Sequence, residues 1–144
     1  MNATLFHEFL ISGDTLWVYE GKRRLFTSNK SILLPLLEYI DNSAPCQKGV
    51  TILDRIMGNA AALLSVKAGA KEVYSPLGSE LAANTLDRYN IEHYLSEIVP
   101  FIRTRDGKDM CPMEKLSISR DMSPDEFYEE VVRRYHDGNA SGLS

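Results

Sequence analysis

Cysteine is nearly missing from this chain, tryptophan occurs once, and no apolar stretch is long enough to cross a bilayer. Each shortage argues against a class of protein. The two cysteines, Cys46 and Cys111, stand far apart without a C-x-x-C pair, so neither a disulfide framework nor a cysteine-rich zinc site is indicated. There is no basic excess either. With 16 Lys and Arg against 20 Asp and Glu the net charge is -4, without the basic stripe of a dedicated nucleic-acid binder. The three histidines, His7, His93 and His136, are dispersed singly, and no repeat or low-complexity segment is present. Glu8 interrupts the first apolar stretch, so the N-terminus does not read as a signal peptide. The chain is therefore expected to be cytoplasmic, with no nucleic-acid or membrane partner and no metal or other cofactor. What is present is ordinary for a globular protein: 144 residues, 44% hydrophobic and 25% charged, enough to bury a core in one domain.

The organising stretch runs from Val50 to Pro76. VTIL is a β-branched apolar run, DRIMGNAAALLSVKAGA follows at helical spacing, and KEVYSP reads as the next strand. This order predicts a β-α-β unit with a parallel crossover. Asp54 stands where a helix N-cap is wanted, and Leu53, Met57, Ala60, Ala61, Leu64 and Ala68 form an apolar face so wide that the helix must be mostly buried. Gly58 costs about 1 kcal/mol against Ala inside a helix, so another element or a ligand is expected to come close to the backbone there.

Around this unit, residues 2–12 read as a short amphipathic helix, and 15–20 with 22–27 as a hairpin about Gly21. Residues 28–41 read as a helix with Pro35 in its first turn, and 42–49 as a polar loop carrying Cys46. Residues 79–89 form a helix capped by Ser79, and 91–101 hold one or two further strands broken near Ser96 and Glu97. A short helix begins at Cys111 and Pro112. Ser123-Pro124-Asp125-Glu126 is a capping box that opens a last helix, whose Phe127, Tyr128, Val131 and Tyr135 line one face. That helix either covers a sheet edge or packs on a partner subunit. The division expected is residues 1–122 as the α/β domain, 123–138 as the appended helix and 139–144 as a disordered tail.

The segment D-R-I-M-G-N-A-A-A-L-L-S-V-K-A-G-A-K-E-V-Y, with R-D-G-K-D-M-C-P-M-E downstream, resembles a small prokaryotic family, domain of unknown function 1893, over roughly residues 12–118. That family is similar in fold to the cytidine deaminases. The resemblance implies a three-layer αβα domain with a mixed sheet of four or five strands, and it implies no particular activity. Zinc deaminases place a His or Cys two residues before a catalytic Glu, and P-C-x-x-C at the next helix start. In the corresponding turns this chain has Asp54-Arg55-Ile56 and Ser75-Pro76-Leu77-Gly78-Ser79, so the zinc ligands are missing. The resemblance thus implies a deaminase-like fold without its metal.

Two motifs remain as candidate chemistry. Asp54, Arg55, Gly58 and Asn59 sit at a strand-to-helix turn and could bind a polar molecule through amides, a guanidinium and a carboxylate, or could simply cap and pack. Cys111 and Glu114 open the short helix, where first-turn amides and nearby Arg103 or Arg105 would favour a thiolate, the condition for a nucleophilic or redox cysteine. No local histidine serves as its base, and a buried inert cysteine is the competing reading. Arg103 and Arg105 alternate before Asp106-Gly107 and could share an anion. These residues converge, on this reading, on one pocket for a small polar or anionic, nucleotide-like ligand, with Cys111, Glu114 and Asp54 as catalytic candidates if the protein is an enzyme. The rival reading is a non-catalytic module that forms homo-oligomers, such as a homodimer, through the last helix or a sheet edge.

Overall fold

The computed structural model describes residues 2–31, 33–43 and 49–136. Cys46 and the tail 139–144 therefore lie outside the described residues. Helix α1 (Ala3–Ser12) is followed by strands β1 (Leu16–Glu20) and β2 (Arg23–Ser28), then by helix α2 (Leu34–Asn42). The central unit is β3 (Val50–Asp54), β4 (Ile56–Met57), α3 (Asn59–Lys67) and β5 (Ala70–Ser79). Then come α4 (Glu80–Arg88), β6 (Glu92–Val99), α5 (Pro112–Ile118) and α6 (Pro124–His136). The strands form one mixed sheet of six strands.

β2 and β1 pair antiparallel, β1 pairs antiparallel with β3, and β3, β4 and β6 all run parallel to β5. Leu53 faces Tyr74 and Ile56 faces Leu77, so β3 and β4 hold the same register on β5. They are one line of chain interrupted at Arg55. The sheet is accordingly five strands wide, in agreement with the expected mixed sheet, and the extra strand is that two-residue continuation.

The two crossovers, β3 through α3 to β5 and β5 through α4 to β6, make the β-α-β order read from the sequence. α3 is buried almost all round, with Asn59 to Ser65 hidden from solvent. It packs among α2, α4, α5 and α6 over one face of the sheet, where Leu36, Ile52, Leu64, Val73, Leu86, Phe127 and Val131 are fully or almost fully buried. Fully burying such a side chain stabilises the fold by about 1.5–3 kcal/mol before entropy is counted. The other face carries α1, whose Phe6 and Phe9 close over Trp17, Leu53 and Tyr74. These are the three layers.

Several local expectations are corrected. Asp54 is not the cap of α3: it ends β3, and the helix begins five residues later at Asn59 with Gly58 in the cap position. The extended backbone is kept that far because Ile56 and Met57 still pair with β5. α2 begins at Leu34, since Ser28 belongs to β2. β6 is one unbroken strand, parallel to β5 along its length. α6 lies on α3, with Asp125 and Lys67 2.8 Å apart, and not over a sheet edge. Its capping box is formed, Ser123 N donating to Glu126 Oε1 and Glu126 N to Ser123 Oγ, each at 3.1 Å. Arg133 and Arg134 both pair with Glu130.

Candidate functional site

The parallel strands end, and α3 and α4 begin, on one side of the sheet, which is where open α/β sheets place their ligand crevices. Gly58 is a point of close approach there. A Cβ at Gly58 would lie 3.0 Å from both Glu114 Oε1 and Ile102 Cγ1, so the element that the sequence required near this glycine is the start of α5 together with the chain after β6. Glu114 Oε1 accepts from the Asn59 amide at 2.5 Å, and Glu114 Oε2 accepts from the Ile102 amide at 2.9 Å. The carboxylate thus sits at the N-terminus of α3, where free amides and the helix dipole favour negative charge.

A polar cluster continues from that bond. Asn59 Nδ2 donates to Ser117 Oγ at 3.1 Å, the Thr85 hydroxyl donates to Asn59 Oδ1, and Ser117 Oγ donates to the Glu114 carbonyl at 2.6 Å. One residue from each of α3 and α4 and two from α5 are joined by these bonds. Asn59, Glu114 and Ser117 are buried, so each bond satisfies a group that would otherwise be costly to hide. Thr85 and Ser117 escaped the sequence reading. The available signal was a polar residue inside an otherwise apolar helical stripe, Thr85 between Ala82 and Leu86.

Residues 102–111 form a hairpin closed at its base by Glu114. Cys111 N donates to Ile102 O at 2.8 Å, Arg103 and Met110 bridge, and Thr104 N donates to Asp109 O at 2.8 Å. Arg103 and Arg105 project from it exposed, Arg103 with its guanidinium 4.7 Å from the Phe101 ring centroid. Asp106 accepts from the Thr104 hydroxyl and the Lys108 amide, which hold its carboxyl below the usual range. Cys111 is half-buried at the cap position of α5, and its sulfur makes no capping bond.

The match to known proteins follows this architecture. The family model described as Domain of unknown function (DUF1893) matches residues 6–133. The chain belongs to this family. A crystal structure of a DUF1893 family protein from Thermotoga maritima is similar, with 28% sequence identity and a TM-score of 0.82, over 91% of this chain and 87% of that one. No curated protein matches the chain. Family membership therefore carries a fold to this DUF1893 chain and leaves its chemistry to be read from the residues.

Within the DUF1893 chain the candidate residues fall into three groups. Gly58, Asn59 and Glu114 meet directly, and Arg103, Arg105, Asp106 and Cys111 stand on the hairpin that Glu114 anchors. Asp54 is 6% exposed and alternates onto the face of Ile52; burial pushes its carboxyl up to about 8 against the opposing pull of the Arg55 and Ile56 amides. Arg55 turns the other way. Its Nε donates to Asp14 O at 2.7 Å, and its two terminal nitrogens donate to Leu10 O at 3.1 Å and Phe9 O at 2.8 Å. The guanidinium expected to face a ligand is instead bound to the Phe9 and Leu10 carbonyls in the last turn of α1 and to the Asp14 carbonyl just beyond it.

Three further observations stand beside the site. Among the described residues no three His, Cys, Asp or Glu side chains gather as a metal-binding set. A groove of about 230 Å³ lies elsewhere, between α2 and α6, lined by Leu34, Leu37, Glu38, Tyr128 and Tyr135 among others. None of the motif residues lines it. No helix of the described residues is long and apolar enough to cross a membrane.

Proposed function

We propose that the protein binds a small anionic, nucleotide-like molecule over the start of α3, beside the 102–111 hairpin, on a deaminase-like fold that works without a metal. The observation that carries this reading is the clamp by Glu114. It ties the hairpin bearing Arg103, Arg105, Asp106 and Cys111 to the turn bearing Gly58 and Asn59, so two motifs far apart in sequence share one edge of the fold. Exposed guanidiniums above buried hydrogen-bonding side chains suit a ligand with a phosphate or carboxylate at one end and polar edges at the other.

Thermal melting with AMP, CMP and inorganic phosphate tests the reading. A nucleotide present at a hundred times its dissociation constant stabilises by about 2.7 kcal/mol, which for a chain of this size raises Tm by several degrees. Replacing both exposed arginines, Arg103→Ala with Arg105→Ala, is expected to remove that rise while leaving the unliganded Tm near that of the parent protein. Absence of any shift with all three compounds, or a shift that survives in the double variant, overturns the proposal.

A further inference from the structure

We propose that the exposed edge of β6 is a self-association surface, on which a second copy of this chain pairs antiparallel about a two-fold axis through Ser96. The two edges of the sheet are unlike each other. The β2 edge carries Arg23 and Arg24, and its pairing with β1 is irregular at Val18 and Tyr19; basic residues and bulges are common means of blunting an edge. The β6 edge has neither. It runs eight residues, holds no Lys or Arg, pairs without irregularity to β5, and meets no other strand among the described residues. Its outer backbone donors and acceptors are a template for one more strand.

The side chains specify which strand. Tyr94 and Ile98, four residues apart and so on one face of β6, are 43% and 52% exposed. A two-fold axis perpendicular to the sheet keeps every side chain on its own face, so residues opposite one another have positions of the same parity. With the axis at Ser96, Tyr94 stands opposite Ile98 of the second copy, and Ile98 opposite its Tyr94. Each exposed apolar side chain is then covered by the other, as an aromatic and β-branched cross-strand pair. The same register sets Glu97 opposite Leu95 and Glu92 opposite Pro100, so no two carboxylates face each other. Shifting the axis to Leu95 would set Tyr94 against Ser96 and Ile98 against Glu92, leaving both apolar side chains with polar neighbours. The pairing joins two five-strand sheets into one of ten and is isologous, as closed dimers require.

Light scattering and site-directed crosslinking test this directly. The full chain is expected to approach twice its 16.2 kDa as concentration rises. Ile98→Lys, at a position already half exposed, is expected to hold the monomer mass at the same concentration with an unchanged far-UV spectrum. Ser96→Cys places the two thiols opposite each other at a separation disulfides accept, so mild oxidation should link it covalently, whereas Glu92→Cys and the parent protein stay unlinked. A parent chain that stays monomeric throughout overturns the proposal. So does a dimer that Ile98→Lys leaves intact, or crosslinking from Glu92→Cys as readily as from Ser96→Cys.

Discussion

Glu114 Oε1 accepts a hydrogen bond from the backbone amide of Asn59 at 2.5 Å across 55 residues of sequence, and thereby caps a helix that has no side-chain cap of its own. Truncating Glu114 to Ala leaves the Asn59 and Ile102 amides without this acceptor and a hole beside Gly58. A loss of about 3 kcal/mol or more is expected in denaturant unfolding. Glu114→Gln keeps one carbonyl oxygen but turns an NH2 group toward the other amide, so its loss should be smaller than that of Glu114→Ala yet still measurable. Equal stability of Glu114→Ala and the parent protein would mean that the clamp is not structural.

Gly58→Ala should cost about 1–3 kcal/mol, because the new methyl would stand 3.0 Å from Oε1 of the Glu114 carboxylate, whose two oxygens are each held by an amide, and from Ile102. The backbone at Gly58 is ordinary extended chain, φ -81, so the cost arises from crowding and not from dihedral strain. A double-mutant cycle separates the two. In a Glu114→Ala background only the Ile102 contact remains, and the cost of Gly58→Ala should fall by about half; additive losses would contradict this account.

The three hydrogen bonds from Arg55 to Phe9, Leu10 and Asp14 make it the bolt that holds α1 to the sheet. Its guanidinium also lies 4.7 Å from the centroid of the Phe9 ring. Arg55→Lys retains the charge and loses the planar fork, so it should behave nearly as badly as Arg55→Ala, each losing about 2 kcal/mol. Hydrogen exchange would then quicken in 3–12 before the central strands are affected. Unchanged protection of α1 in Arg55→Ala would contradict the assignment.

Asp54 imposes a pH dependence of known sign. The folded protein keeps its proton to about pH 8, whereas the unfolded chain releases it near the ordinary value of 3.8. The contribution to stability is therefore complete below about pH 4, declines by up to about 1.4 kcal/mol per pH unit, and is lost as pH passes the folded value. Asp54→Asn lacks this dependence. The stability difference between Asp54→Asn and the parent should widen in favour of the variant from pH 5 to pH 8; parallel curves over that range would place the Asp54 titration near its unfolded value.

Hydrophobic periodicity and turn chemistry determined much of this protein in advance. The β-α-β core, the buried central helix, the Ser79 cap and the Ser123 capping box are all local patterns, fixed by residues within a turn or two of each other. A close neighbour at Gly58 was expected from a glycine inside a helical run; the neighbour is there, but Gly58 stands at the cap position in extended backbone, so the crowding and not its place in the helix is the reason for the glycine. Its partner was not legible. Whether Asp54 caps a helix or ends a strand depends on whether Ile56 and Met57 find Leu77 and Gly78 on β5, and no local pattern carries that pairing. The partners of Arg55 were hidden because the Phe9, Leu10 and Asp14 carbonyls that bind it lie more than 40 residues away in sequence. The polar cluster of Asn59, Thr85, Glu114 and Ser117 likewise comes from three separate helices. Sequence spacing fixes which face of its own element a side chain occupies; which backbone groups that face meets is decided when the layers pack, since the unpaired amides and carbonyls at element ends take whatever partner the tertiary fold brings within about 3 Å.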